Sequence, residues 1–166
     1  NSMLVLQCIC MVHRMVNIYT DGACINNGLP DAKGGMGVFS QELDLNLSVP
    51  WEMEVEPTNQ RCEMGAVVFA LLAIKKTEPN QDTVFQILSD SEYVVKGMNE
   101  WMKHWKNRGW KTAKGKEVKN RWLWEMLDTQ SKGLNIIFKH VRGHSGVHGN
   151  EMADALAMSA AQSLNL

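Results

Sequence analysis

The stretch Val16–Gly22, V-N-I-Y-T-D-G, sets a carboxylate at the mouth of an apolar strand. Val16, Ile18 and Thr20 alternate with Asn17 and Tyr19, the period of a half-buried strand. Asp21 ends the run, and Gly22 lets the backbone turn away. Asp and Gly are also turn residues, and taken alone the dipeptide reads as the start of a turn. The arrangement recurs, however: Val84–Leu88 is a second apolar run, closed by Ser89-Asp90-Ser91. Two strands that each deliver an Asp at the carboxyl end place both acids in the crevice where open α/β sheets hold their ligands.

The remaining elements fit around these two strands. Lys33–Phe39 reads as a second strand, and residues 43–53 alternate as far as Pro50, which suits a sheet edge. Three strands with short connections predict an antiparallel meander. Thr58 is the expected N-cap of a helix running to about Lys76, apolar on nearly every face and so buried on most sides. That long crossover allows Asp82–Leu88 to lie parallel to Val16–Thr20. Ser91–Trp101 and Met102–Asn107 read as helical, Arg108–Lys116 as a basic loop, and Glu117–Ser131 as a helix made amphipathic by Val118, Trp122, Met126 and Leu127. Leu134–Val141 is the fifth strand. A Gly-rich loop, 142–149, leads to a last helix over Glu151–Ser163, with Asn150 as its cap and Asp154 in its first turn.

At 166 residues the chain has the size of one domain with a real core. We expect that domain over 16–166, after an N-terminal extension, 1–15, in which Met3–Val12 is an extra strand or a loosely packed remnant. This apolar run lacks the basic leader and cleavage site of a signal peptide. The net charge of −1 hides a strong local asymmetry. Residues 96–121 carry nine Lys or Arg against Glu100 and Glu117, whereas residues 40–56 carry five acids and no base. Cys8, Cys10, Cys24 and Cys62 form neither a zinc spacing nor a disulfide framework, which points to a reducing, intracellular setting. No run approaches the roughly 20 apolar residues of a membrane span, so no membrane partner is expected.

Asp21, Glu63, Asp90 and Asp154 are the candidates for chemistry. Each one separately reads as a helix cap or a surface acid. Brought together they would repel unless cations neutralised them. Oxygen ligands of this kind select Mg²⁺ or Mn²⁺. Two such ions roughly 3.5–4 Å apart can clamp a phosphodiester, activating a water and stabilising the leaving oxygen.

Four strings carry a resemblance: Y-T-D-G-A (19–23), T-N-Q-R-C-E (58–63), S-D-S-E-Y-V (89–94) and H-V-R-G-H-S-G-V-H-G-N-E-M-A-D-A-L-A (140–157). Together with the basic insert they resemble the type 1 ribonuclease H family, in unbroken order from about Val16 to Ala161. The resemblance implies an α/β fold with a mixed five-stranded sheet, three strands antiparallel and two parallel, flanked by helices. It implies an endoribonuclease that cleaves the RNA strand of RNA–DNA hybrids with two Mg²⁺ ions, Mn²⁺ substituting, and leaves 5′-phosphate and 3′-hydroxyl ends. Asp21, Glu63, Asp90 and Asp154 then become the metal-binding carboxylates, and His144 assists the reaction or product departure. His148 remains an ordinary loop histidine. Residues 96–121 become a handle whose cations hold the DNA backbone. Tyr93, Trp101 and Trp105 match DNA-groove aromatics, Thr58 and Asn120 a DNA-phosphate pocket, and Cys24, Asn26, Asn27, Asn59 and Gln60 the RNA-side contacts. Eukaryotic relatives place an Arg two residues before that Thr; here the position is Glu56, a departure from the family's pattern at that contact. The enzyme is expected to be a monomer. A module of this fold that binds hybrids without cutting them is disfavoured by the intact acids. The corresponding domain of a reverse transcriptase or retroelement polyprotein stands as the alternative.

Overall fold

The computed structural model describes residues 14–77 and 82–164, so the Met3–Val12 run lies outside the described residues. Five strands form one sheet in the order β3-β2-β1-β4-β5. They are β1 (Arg14–Ile25), β2 (Lys33–Ser40), β3 (Leu45–Pro50), β4 (Thr83–Ser89) and β5 (Ile136–His140). The first three form the antiparallel meander, and β4 pairs parallel with both β1 and β5. The mixed sheet expected of the sequence is therefore present, with Pro50 on the edge strand.

β1 is longer than its apolar alternation indicates. It does not end at Asp21 but continues through the expected polar turn to Ile25, because β2 pairs with it from Tyr19↔Phe39 to Ile25↔Lys33. The turn begins only at Asn26, in the left-handed region at φ 56°. The parallel neighbour, by contrast, stops at the pair Thr20↔Ser89. Asp21 and Asp90 are thus each one residue past the last parallel pair, side by side at the carboxyl end of the central strands.

Helix α1 (Asn59–Lys76) returns the chain beneath the sheet. Thr58 caps it as expected, its hydroxyl accepting from the Arg61 amide at 3.1 Å. Met64, Val67, Leu71 and Ile74 are fully buried against Val16, Ile18, Met36, Val38, Phe85 and Ile87 of the sheet. Burial of that many aliphatic side chains, at roughly 1.5–3 kcal/mol each, is the main force holding this layer. The opposite face of β1–β3 is covered by helix α5 (His148–Ser163) through small residues, with Ala23 against Ala157 and Ala161. The alternation K-G-G-M-G-V in β2 explains both layers. Met36 and Val38 fill the α1 side. A Cβ on Gly35 would meet the Ala157 carbonyl, and one on Gly37 would meet the Ala153 carbonyl, so α5 rests directly on bare strand.

The segment after β4 is helical, as the pattern indicates, but not uniformly. Helix α2 (Glu92–Lys96) passes through one π-helical turn (Gly97–Trp101) into α3 (Met102–Asn107). Gly97 sits under Trp124, where a side chain would collide with the indole. Helix α4 starts at Arg121 rather than Glu117, because Asn120 is left-handed at φ 59° and the helix cannot extend back through it. Its buried face is Leu123, Trp124 and Leu127; Trp122 and Met126 are only half-buried, and Val118 is buried but precedes the helix. Likewise Asn150 is not the cap of α5. The helix begins two residues earlier, capped by the backbone of Val147, and Asn150 is buried inside its first turn with Nδ2 unpartnered. Asp154 consequently falls in the second turn. No helix among the described residues is long and apolar enough to cross a membrane.

The seat of α5 can be tested directly. Gly37→Ala should lower the melting temperature by the equivalent of roughly 1–3 kcal/mol, because the added methyl must displace helix backbone. Met36→Leu, on the other face of the same strand, keeps the core volume and should cost under about 1.5 kcal/mol. Thermal melts of the two variants compare the faces.

Candidate active site

Four elements deliver acids to the carboxyl end of β1 and β4. Asp21 and Asp90 arrive by the register just described. Glu63 arrives because α1 packs onto Gly22 so closely that a Cβ there would meet the Cys62–Glu63 backbone. Asp154 arrives on α5, seated on the glycines of β2. Oxygens of Asp21, Glu63 and Asp90 lie within 4.8 Å of one another. Asp154 stands outside that trio but acts on Asp21 through charge and side-chain hydrogen bonding. All four expected acids therefore face one crevice.

The site is electrostatically unfavourable as a set of bare carboxylates. Burial pushes Asp21 up to about 8, and the charges of Asp90 and Asp154 push in the same direction, against a hydrogen bond with Glu63. Burial, followed by the charge of Asp21, also raises Glu63 well above the ordinary carboxylate range. Only 4% of Asp21 is exposed, so water cannot screen the repulsion. Asp21 Oδ1 accepts from the Gly22 amide at 2.9 Å, whereas Glu63 Oε2 is buried with no partner. Clustered oxygens, an orphaned carboxylate oxygen and a shortage of compensating donors fit a hard divalent cation held by Asp21, Glu63 and Asp90.

The loop before α5 reaches the same place. A Cβ on Gly143 would stand 2.8 Å from Asp90 Oδ2, so the chain runs against that acid. His144 follows, exposed and left-handed at φ 54°. His140, unmarked in sequence beyond its place at the end of β5, has Nε2 3.2 Å from the Asp90 carbonyl oxygen and helps seat that backbone. His148, the first residue of α5, packs edge-on against Phe39, with ring centroids 5.8 Å apart.

Flanking the acids, the residues matched to RNA contacts form one lip. Asn27 Oδ1 accepts from the Asn59 amide at 3.2 Å, tying the turn after β1 to the start of α1. Asn26 holds Asp31 at 3.0 Å, and Cys24 packs its thiol 3.7 Å from the Pro57 carbonyl. Gln60 is half-buried in the same first turn. On the other side, Tyr93, Trp101 and Trp105 form a ring cluster on the buried Trp124. Tyr93 and Trp105 each lie 5.3 Å from Trp124, and Trp101 lies 6.0 Å from Tyr93 and 5.8 Å from Trp105. Trp124, which the sequence pattern does not single out, underlies the others; the helical spacing of Leu123, Trp124 and Leu127 marks it as inward-facing only once the true helix start is known. Beyond it, Lys103, Arg108, Lys111, Lys114, Lys116 and Lys119 are exposed and in no ion pair among the described residues. Lys106 instead pairs with Asp128 at 3.0 Å, and Arg121 with Glu125 at 2.7 Å.

The raised carboxyls have a stability consequence. Their unfolded values are near 3.8 and 4.5, so the metal-free fold binds protons more tightly than the unfolded chain. Stability is complete below about pH 4 and is lost as pH rises towards about 8. Melting in a chelator across that range should show the fall. Asp21→Asn should flatten it and melt higher than the parent at pH 8. A metal-free parent whose melting temperature is level from pH 4 to 8 would contradict the crowding.

Comparison with known proteins agrees with the geometry. The family model for RNase H matches residues 13–162. A ribonuclease H of Pseudomonas fluorescens is 44% identical over 142 residues, covering 86% of this chain and 89% of the relative. Among solved structures, LC9-RNase H1, described as a type 1 RNase H with the type 2 active-site motif, superposes with a TM-score of 0.75 at 31% identity, over 90% of this chain and 73% of that one. A foamy viral protease-reverse transcriptase solved with an RNA/DNA hybrid shares the fold, with a TM-score of 0.73 at 23% identity, over 92% of this chain and 21% of that one. With its mixed sheet, its acid cluster and these relatives in agreement, the chain belongs to the ribonuclease H family, in its type 1 branch, and is a nuclease that hydrolyses phosphodiester bonds.

Proposed function

We propose that the chain is an endoribonuclease that hydrolyses the RNA strand of RNA–DNA hybrids, leaving 5′-phosphate and 3′-hydroxyl ends. The observation that carries this reading is the trio Asp21, Glu63 and Asp90, whose oxygens lie within 4.8 Å of one another and face a crevice. Two Mg²⁺ ions held by these acids and Asp154, with Mn²⁺ as a substitute, would activate the attacking water and stabilise the leaving 3′-oxygen. The chain's own groups do the rest. The acids would hold those ions at the sheet end, where the scissile phosphate would lie. Gly143 keeps the loop tight against Asp90, and His144 on that loop is the group that carries a proton or accompanies the departing product.

Substrate choice is divided between the two sides of the crevice. Cys24, Asn26, Asn27, Asn59 and Gln60 line the RNA side, where amide donors and acceptors read 2′-hydroxyls. Tyr93, Trp101 and Trp105 offer ring faces and edges to the DNA sugars, and Thr58 and Asn120 take a DNA phosphate. The unpaired cations from Lys103 to Lys119 hold the backbone beyond. A hybrid bound by the foamy viral structural relative lends support to the same partner here. The long match to a bacterial ribonuclease H favours a cellular-type enzyme over a polyprotein domain.

Cleavage assays test the chemistry. Asp21→Asn and Asp90→Asn should each abolish cutting of a labelled hybrid in Mg²⁺ while the fold survives; near-parental turnover in either would sink the assignment. A DNA strand carrying a short ribonucleotide run, paired with DNA, should be cut only at the run, and double-stranded DNA left intact.

The handle should be separable from the chemistry. Replacing Lys103, Lys111, Lys114 and Lys116 by Ala should raise KM and flatten its dependence on salt, each lost phosphate contact removing about 0.9 from the log–log slope. Turnover at saturating hybrid should hold, since these contacts act equally on ground and transition states. Steady-state kinetics at several salt concentrations decides it, and a fall in kcat with an unchanged slope would show that the segment is not an electrostatic grip.

A further inference from the structure

Arg61 is the third residue of α1, half-buried, and pairs with no carboxylate among the described residues. Its guanidinium is engaged by uncharged oxygens instead. Nε donates to Asn120 Oδ1 at 3.1 Å, and Nη1 donates to the Glu56 carbonyl oxygen at 2.7 Å. Its backbone amide donates to Thr58 Oγ1 at 3.1 Å. One side chain and its own backbone therefore touch all three positions, 56, 58 and 120, at which a DNA phosphate is expected.

The chemistry of these contacts sets the polarity of the pocket. Arginine has donors only, so Asn120 must turn its carbonyl oxygen towards Arg61 and its NH₂ the other way. That NH₂ reaches the Tyr93 hydroxyl at 3.4 Å, a long contact that occupies only one of its hydrogens. Among the described residues no further hydrogen bond fixes the amide: Asn120 is left-handed, 8% exposed, and makes no side-chain cap to α4. Thr58 accepts from Arg61 and so keeps its hydroxyl hydrogen for another partner. A threonine O–H, an amide N–H and the remaining guanidinium N–H groups make a set of donors with one positive charge. The exposed Glu56 side chain contributes no cation, although its carbonyl helps hold the one that is there.

We propose that Arg61 is the cation of the DNA-phosphate pocket in this chain and that it positions Asn120 for the same phosphate. This rests on the hybrid-cleaving reading above. It makes Arg61 a binding and positioning residue, distinct from the metal ligands although it is only two residues before Glu63 in the chain.

Charge and position can be separated by two substitutions. Arg61→Gln can still donate to Asn120 but carries no charge; Arg61→Lys keeps the charge but loses the planar fork. Binding is measured in the Asp21→Asn background, which leaves the hybrid uncut, using DNA strands with one neutral methylphosphonate at successive positions. One position should weaken binding by the parent roughly tenfold, as expected for a charge-assisted contact. In Arg61→Gln that penalty should disappear and the log–log salt slope should fall by about 0.9. Arg61→Lys should keep the slope. With Asp21 restored, Arg61→Lys should lose turnover at saturating hybrid, because a loosened Asn120 no longer fixes the register. A penalty that persists at the same phosphate in Arg61→Gln, with an unchanged slope, overturns the role of Arg61 and leaves the hybrid reading standing. A parent enzyme indifferent to every methylphosphonate overturns the pocket itself, and Arg61's role with it.

Discussion

A helix can lie directly on a strand only where the strand presents no Cβ, and this chain uses that constraint on both faces of one sheet. Gly22 admits the backbone of Cys62 and Glu63 from the α1 side; Gly35 and Gly37 admit the Ala153 and Ala157 carbonyls from the α5 side. The two helices carry Glu63 and Asp154. Without those approaches each helix would stand off by the width of a side chain, and acids placed on different elements would not share a crevice. Catalytic geometry here is a consequence of backbone contact more than of side-chain packing.

The price of that geometry is an acid cluster that the fold must hold together against itself. Asp21 is buried and pushed up to about 8, with two further carboxylates near it and a Glu63 oxygen lacking any donor. The offset comes from the aliphatic layer between α1 and the sheet, where Ile18, Met64, Leu71 and Ile87 lie on the same strands and helix as the acids and are fully buried. Asp21, Glu63 and Asp90 thus each sit within a few residues of a strongly buried apolar anchor. Such an arrangement keeps the site rigid while leaving its charge to be neutralised by whatever cation it holds.

How far the sequence could be read follows from how local each signal is. The four acids were legible because each lies at an element end marked by its own neighbours: T-D-G, the capped start of α1, S-D-S, and the run after the Gly-rich loop. The sheet order was legible from strand period and crossover length. The true extent of β1 was not, since Gly22–Ile25 is held as strand only by pairing with β2. The start of α4 is not legible because nothing in K-N-R announces that Asn120 is left-handed, and Asn150 has the residue type of a cap although the helix already begins at His148. Arg61 lies inside the T-N-Q-R-C-E string with no role of its own there: its meaning lies in a hydrogen bond to a residue 59 positions away.

The π-helical turn at Gly97–Trp101 acts as a phase shift. In a regular helix, eight residues leave Trp101 about 80° around the axis from Tyr93. The wider turn delays the rotation, and the two rings meet at 6.0 Å. Everything that follows, including Trp105 and the root of the basic segment, inherits the corrected angle. The aromatic row is therefore encoded by chain length as much as by residue type. A variant shortened by one residue within 97–101 could keep every tryptophan and every lysine, gain a more regular helix, and turn the whole projection to a different side of the molecule.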